Sequence, residues 1–225
     1  MMGRQERWIE RYREVGGWWE HGGNPKQPHP LLTSGSHSGA YVNSRLIMRN
    51  PVSLIDVVDE ALGALAEAKF PFEKLDLVSG IQFGSITLAD QLAAAAWHFR
   101  EDDEWPIYTV FAEKRGEGKE KQLVFDTTKP EPGERTLMAD DVLTSGGSLE
   151  KLAKAIVDAK GVVMPWAFVI VNRTGRSEVG GRRIVSLIEK DLPLWSPDAC
   201  PLRKQGSEAI RPKSKEAWER LNASY

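Results

Sequence analysis

Cysteine is almost absent from this 225-residue sequence. Cys200 is the single one, which excludes an intrachain disulfide and a multi-cysteine zinc site. No run approaches the roughly 18 uncharged apolar residues that cross a bilayer. Met1 to Glu20 is laced with Arg and Glu and has no apolar core of signal-peptide type. A soluble, cytoplasmic protein is expected. The formal net charge of −2 gives no global basic field for nucleic acid or an anionic membrane, so any anion binding must come from local basic groups. No internal repeat or long low-complexity tract is present. With 41% hydrophobic residues the chain is rich enough to fold as one large domain, or as a domain with an appended lobe.

Apolar periodicity orders the rest. Trp8, Ile9, Tyr12 and Val15 recur at helical spacing, and Gly16-Gly17 can end that helix. His21 to Pro30 reads as a loop, and Leu31 to Asn43 as strand-like segments around a tight turn at Ser34–Gly39. Asn50-Pro51 starts a second helix, with Leu54, Ile55, Val58, Ala61, Leu62 and Leu65 as its buried stripe. Short strands are predicted at Leu75–Val78, Ile107–Ala112, Thr136–Ala139 and Val162–Val171, with Pro165 near the start of the last or at an edge. Helices are predicted from Ser85 to about Phe99 and from Leu149 to Lys160, the latter closed by Gly161 as a left-handed cap. Strands alternating with helices imply an α/β fold, with a mostly parallel sheet covered on both faces. Ligands then bind beyond the carboxyl ends of the strands, where the loops after Val78, Ala112 and Ala139 share one rim. The expected organisation is an N-terminal helix and hood segment over 1–50 and an α/β core over 51–190. An extension over 191–225 packs back on the core or the hood.

One stretch carries specific chemistry. Asp140-Asp141 follows an apolar strand, and Thr144-Ser145-Gly146-Gly147-Ser148 leads into an amphipathic helix. The two glycines let the backbone turn tightly and approach an anion with no Cβ in the way. Free N–H groups at the helix start, with the positive end of the helix dipole behind them, face that space. Thr144, Ser145 and Ser148 add hydroxyl donors, and together these groups suit a phosphate monoester. The two carboxylates would repel that phosphate, but they suit the hydroxyls of a ribose with a nearby Mg²⁺. The plainer reading, a Ser148 helix cap beside a solvated strand end, does not account for acids, hydroxyls and glycines in one strand–loop–helix context. A Walker A loop is excluded because no Lys follows Gly-Gly, and a Rossmann fingerprint is excluded on spacing.

From Leu137 to Leu149 the sequence resembles the type I phosphoribosyltransferases, whose PRPP motif is an apolar strand, an acidic pair and a Thr/Ser-Gly-Gly-Ser-like loop. The resemblance implies that Thr144, Ser145, Gly146, Gly147 and Ser148 hold the 5-phosphate of PRPP. It also implies that Asp140 and Asp141 hold the ribose hydroxyls and Mg²⁺, directly or indirectly. Other stretches, spanning about Leu31 to Gly206, resemble the orotate phosphoribosyltransferase branch. Leu32–Asn43 is similar to its hood segment, implying base contacts from Ser34 and Tyr41. Ser79–Leu88 is similar to its pyrophosphate loop, implying Ser79 and Gly80 as PRPP ligands. Phe111-Ala112-Glu113-Lys114 leading into Arg115-Gly116-Glu117-Gly118-Lys119 is similar to its basic loop, implying roles for Lys114, Arg115 and Lys119 at the leaving pyrophosphate. Val171-Asn172-Arg173 is similar to the strand end whose Arg meets the orotate carboxylate. Pro197–Gly206 is similar to C-terminal segments of longer members.

Chemistry supports these assignments independently: a guanidinium fork matches a carboxylate, and cations stabilise a leaving diphosphate. Lys114, Arg115, Asp140 and Asp141 are the expected catalytic set. A homodimer is expected from the resemblance. Departures from the branch bear on the base. No His occurs between Trp105 and the C-terminus, Ser36 stands where a basic residue is often found, and Arg203 replaces a second Cys. Transfer to a purine or another nucleobase, or a non-catalytic PRPP-sensing regulator, are the alternatives. The Arg-rich first helix is interleaved with Glu6, Glu10 and Glu14 and shows no helix-turn-helix pattern. His37 is read as a turn residue with no acid–base role, and Cys200 as a small structural residue.

Overall fold

The computed structural model describes residues 2–82, 84–100, 105–116 and 122–225. Helix α1 (Arg4–Glu14) is followed by four short strands, β1 (Trp18–Glu20), β2 (His29–Pro30), β3 (His37–Ser38) and β4 (Ala40–Val42). After α2 (Arg45–Met48) and α3 (Pro51–Glu67) come β5 (Leu77–Ile81), α4 (Ile86–His98), β6 (Tyr108–Arg115), β7 (Gln122–Val124), β8 (Arg135–Leu143) and α5 (Gly147–Asp158). Then follow β9 (Val162–Asn172), β10 (Glu178–Val179), β11 (Arg182–Glu189), β12 (Leu194–Trp195), α6 (Pro201–Lys204), β13 (Ala209–Ile210) and α7 (Lys215–Asn222).

The central sheet runs β10-β11-β9-β8-β5-β6-β7. Its five middle strands are parallel, and the two edge strands are antiparallel to their neighbours. Side chains alternate between the two faces with the period of two that a strand imposes. Leu137, Ala139, Phe168 and Ile170 join the core under α1, α3 and α4, whereas Met138, Ala167 and Val169 join the core under α5. The sheet is thus buried on both faces, as expected for parallel strands linked by helices.

Local chemistry accounts for most boundaries. Asn50 caps α3 by accepting from the N–H groups of Val52 and Ser53, and Pro51 sits in its first turn. Val57 takes the buried place that the sequence pattern assigned to Ile55, which is exposed, as are Val15 and Val157. Lys160, not Gly161, adopts the left-handed conformation after α5 (φ 68°). Gly161 is needed for another reason: a Cβ there would stand 2.8 Å from Cβ of Pro130 and 2.9 Å from Cγ2 of Ile156. Pro165 lies in an interior strand, but where the β8–β9 register jumps from Thr136↔Val163 to Met138↔Ala167, a bulge that spares its missing N–H.

The final segment pairs with the N-terminal strands, β12 with β3 and β13 with β2. Trp19, Ile210 and Leu221 form a small third core between them, and Trp19 Nε1 donates to the Leu221 carbonyl at 2.9 Å. No helix among the described residues is long and apolar enough to cross a membrane.

The lower end of the sheet is tied by Asp76 and Arg135. The Arg135 backbone N–H, Nε and Nη2 all donate to the Asp76 carboxylate, at 2.8, 2.7 and 2.8 Å. The Arg135 side-chain hydrogen bond holds the Asp76 carboxyl below its usual range, against the opposing effect of partial burial. A depressed carboxyl stabilises the fold fully above about pH 4, and that contribution is lost as pH falls through the folded-state value. Asp76→Asn should therefore cost about 0.5–1 kcal/mol at pH 7, allowing for solvent screening of this half-exposed pair. In denaturant titrations the gap between variant and parent should close at acid pH; a pH-independent gap would contradict this account.

Candidate active site

A cavity of about 570 Å³ opens at the carboxyl ends of the parallel strands, within the range of small-molecule sites. The loop after β8 supplies Thr144, Ser145, Gly147 and Ser148, with Asp141 and Val142 from the strand itself. Gly146 precedes α5 with a left-handed backbone (φ 92°), and no side chain caps the helix. The N–H groups of its first turn are thus left for a ligand, as an anion cradle requires. A Cβ on Gly146 would stand 2.5 Å from Cγ1 of Val179, so both conformation and packing demand glycine.

Asp140 and Asp141 lie inside β8 rather than after it. Pairing with β9 continues through Asp140↔Val169 and Val142↔Val171 to Leu143↔Asn172. Asp140 is buried and accepts from the Asp141 N–H at 3.0 Å; Asp141 faces the cavity and accepts from the Val142 N–H at 2.9 Å. Among the described residues neither carboxylate has an ion-pair partner within 4.0 Å. Burial raises both above the usual carboxylate range, and the Asp141 charge raises Asp140 further. Lys114 and Arg45 oppose this only from a distance. Two adjacent acids without a counter-charge form a site that a divalent cation or a set of hydroxyl donors would satisfy.

Arg173 emerges just past the end of β9 and lines the cavity, although the residue is only 2% exposed. Nη2 donates to Ser38 Oγ at 2.7 Å and to the Ala40 carbonyl at 3.4 Å, while the buried Nε has no partner. Burial pulls the guanidinium down to about 10, so it remains charged at neutral pH. Ser34 and Tyr41 stand on the same rim with Leu31, Leu32 and Thr33. Burial raises the Tyr41 phenol, which therefore stays a hydrogen-bond donor.

The basic segment is not a plain loop. Glu113, Lys114 and Arg115 extend β6 and pair with β7 in an antiparallel arm. Alternation along that arm separates the two expected cations. Lys114 lines the cavity, whereas Arg115 points away and forms an ion pair with Asp126. Lys119 lies outside the described residues. Ser79 and Gly80 do not line the cavity, because β5 runs through them. Ser79 is fully buried and donates to the Val110 carbonyl at 3.2 Å, and Gly80 packs on the Ser85 backbone. It is Gly84, further along, that comes against the acids: a Cβ there would stand 3.6 Å from Asp141 Oδ1 and 3.8 Å from Asp140 Oδ1.

The sequence reading passed over Lys151, Pro212 and Lys213, which also line the cavity. Lys151 was accessible to it, since three residues beyond Ser148 on a helix is the same face. Lys213 follows β13 in the C-terminal extension and carries no local signal of its role. Four cations (Lys114, Lys151, Arg173 and Lys213) against one carboxylate suit the cavity to a polyanion.

The sheet order and the loop-before-helix cradle define a phosphoribosyltransferase of type I. The Aeropyrum pernix orotate phosphoribosyltransferase structure superposes with a TM-score of 0.59 at 20% identity, over 80% of this chain and 92% of that one. An adenine phosphoribosyltransferase structure from Thermoanaerobacter pseudethanolicus gives 0.54 at 19% identity, over 67% and 88%. At such identities these likenesses establish the fold alone. No protein-family model matches the chain. In sequence, the orotate phosphoribosyltransferase of Thermus thermophilus is 31% identical over 198 residues, covering 88% of this chain and 95% of its own. The chain belongs to the orotate phosphoribosyltransferase family.

Gly146→Ala tests the cradle. The left-handed backbone should cost about 1–2 kcal/mol of stability. Displacement of the loop by the Val179 clash should weaken a phosphate monoester by about tenfold or more. Calorimetric titration with ribose 5-phosphate measures the second effect; unchanged affinity in a folded variant would place the phosphate elsewhere.

Proposed function

We propose that this cavity transfers the phosphoribosyl group of PRPP to orotate, giving orotidine 5′-monophosphate and pyrophosphate. The observation that carries the reading is a single cavity in which Asp141, the Thr144–Ser148 cradle, Lys114 and Arg173 meet, in a chain 31% identical to an orotate phosphoribosyltransferase.

The 5-phosphate of PRPP sits against the first-turn N–H groups of α5 and the hydroxyls of Thr144, Ser145 and Ser148. Asp140 and Asp141 accept from the ribose hydroxyls. Breaking the bond from the anomeric carbon to pyrophosphate builds positive charge on the sugar and negative charge on the leaving group. Lys114 stabilises the latter, and the buried acids lie close enough to favour the former. Arg173 pairs with the orotate carboxylate through the guanidinium atoms not committed to Ser38 and Ala40, with Ser34 and Tyr41 completing the base pocket. The rim residues Leu31 and Leu32 help exclude the water that would otherwise hydrolyse the activated sugar.

Mg²⁺ is proposed as cofactor: the uncompensated oxygen donors of Asp140 and Asp141 fit a hard divalent cation, either directly or through bound hydroxyls. When bound, it neutralises charge on the diphosphate. A homodimer acting in the cytoplasm is the accompanying proposal.

Arg173→Ala should lower kcat/KM for orotate by about 100-fold, the scale of removing a buried charged partner, while PRPP binding falls far less. Equal losses of both, with Arg173→Lys no better, would remove Arg173 from the base. A spectrophotometric screen of orotate, uracil and purine bases with PRPP and Mg²⁺ tests the acceptor itself; no consumption of orotate would sink the assignment.

The acid pair also sets a pH dependence. Its raised carboxyls take up protons readily, and a proton competes with the metal and the sugar. At low Mg²⁺, kcat/KM should fall as pH falls through the range where the pair protonates. Higher Mg²⁺ should move that fall to lower pH. Profiles at two Mg²⁺ concentrations that superpose would argue against metal at these acids.

A further inference from the structure

Three side chains far apart in sequence converge beneath the N-terminal lobe. His29 lies on β2, His37 on β3, and Cys200 at the start of α6, and all three are buried. One ligand-type atom from each falls within 4.8 Å of the others. His29 Nε2 is 2.8 Å from His37 Nδ1 and 3.5 Å from Cys200 Sγ.

Hydrogen bonding fixes how His29 is presented. Ser207 Oγ has one proton, and it donates it to the Gln27 carbonyl at 2.6 Å. Toward His29 Nδ1, 2.7 Å away, the same oxygen must accept. His29 therefore carries its proton on Nδ1. No carboxylate hydrogen-bonds the ring among the described residues, so nothing favours a second proton, and Nε2 turns a bare lone pair toward His37 and Cys200. A ring N–H anchored on an oxygen, with the opposite nitrogen free, is how proteins orient histidine ligands to a metal. Cys200 Sγ in turn accepts the Arg203 backbone N–H at 3.4 Å.

We propose that His29 Nε2, His37 Nδ1 and Cys200 Sγ form a binding site for a borderline-soft divalent ion, zinc by preference, which fastens the C-terminal extension to the N-terminal lobe. Two imidazoles and a thiolate are zinc's ordinary donors, and a tetrahedral ion with Zn–N of about 2.0–2.1 Å and Zn–S of about 2.3 Å needs N···S near 3.5 Å and N···N near 3.3 Å. The His29 Nε2···Cys200 Sγ separation already meets this; the two imidazoles must part by about half an ångström, and His37 Nδ1, within 4.8 Å of Sγ, settles onto the same ion. On binding, the Cys200 thiol releases its proton to solvent. The proton that His37 Nδ1 lends to the His29 contact moves to the other nitrogen of that ring. A water can supply the fourth ligand. This ion differs in chemistry and place from Mg²⁺ at the acid pair, and the site does not depend on the reaction proposed above.

The full chain, stripped with chelator and re-equilibrated with Zn²⁺, should retain about one zinc per chain by elemental analysis and melt at higher temperature than the stripped form. With Co²⁺ instead, a sulfur-to-cobalt charge-transfer band should appear. Because Cys200 is the single cysteine, that band identifies the ligand in the unmutated protein. Cys200→Ser should abolish the band, and His37→Gln should lower zinc retention at least tenfold. No zinc retained at micromolar metal, or cobalt bound without a thiolate band, overturns the proposal. So does zinc retention unchanged in folded Cys200→Ser and His37→Gln proteins.

Discussion

The parallel register of β8 on β9 is the constraint from which the site follows. It brings Leu143 opposite Asn172, and the Arg173 N–H closes the ladder on the Leu143 carbonyl at 3.2 Å. The Thr144–Ser148 loop begins at the next residue of one strand and the buried guanidinium at the next residue of the other. Their separation is set by the sheet and not by loop conformation. The bulge at Pro165 adjusts this register: without the extra residues there, every side chain beyond it would shift along the strand. A proline at the lower end of a central strand thus sets which atoms meet at the upper end.

That geometry carries an electrostatic cost. Two carboxylates stand next to each other in a buried strand end with no ion-pair partner within reach among the described residues, and one guanidinium is buried with its Nε unsatisfied. The two kinds of charge line the same cavity without forming an ion pair within 4.0 Å. Unsatisfied groups of both signs suit a ligand with hydroxyls and bound metal at one end and a carboxylate at the other. Structure elsewhere offsets the cost: the Asp76–Arg135 clamp at the lower sheet end, and hydrophobic cores on both faces. Placing strain at the ligand site and stability away from it is a common division in enzymes.

The strand–loop–helix at Asp140–Ser148 was legible because its signals are local: a β-period apolar run, two glycines, a helical stripe. The residues that line the cavity from afar were less so, for identifiable reasons. Asp is disfavoured in strands, so sequence placed Asp140 and Asp141 after β8, whereas pairing with β9 carries them inside it. Lys114 and Arg115 look equivalent in sequence, and only the pairing of β6 with β7 reveals that alternation sends one to the cavity and the other to Asp126. Ser79 and Gly80 read as loop chemistry, yet they continue a fully buried strand. The turn reading of His37 failed similarly: it lies on β3, 8 residues from His29, which in turn is 171 residues from Cys200, beyond any local pattern.

The positions of the charged groups also separate rigid from adjustable parts of the site. Asp140 and Asp141 stand on β8 where it pairs with β9, and Arg173 follows β9 directly with its N–H on the Leu143 carbonyl, so the central ladder fixes all three. Lys114 is carried by the arm at the sheet edge, and Lys213 by the terminal extension. Edge elements can shift without breaking the central ladder. A polyanionic ligand then meets fixed charged groups on the central strands and cations on the adjustable edges. The extension is not independent of the fixed part: β12 pairs with β3, whose Ser38 accepts from Arg173 and whose His37 meets His29 and Cys200. Anything that tightens the junction of His29, His37 and Cys200 therefore also steadies the strand that orients the buried guanidinium, which couples the terminal extension to the Arg173 end of the cavity.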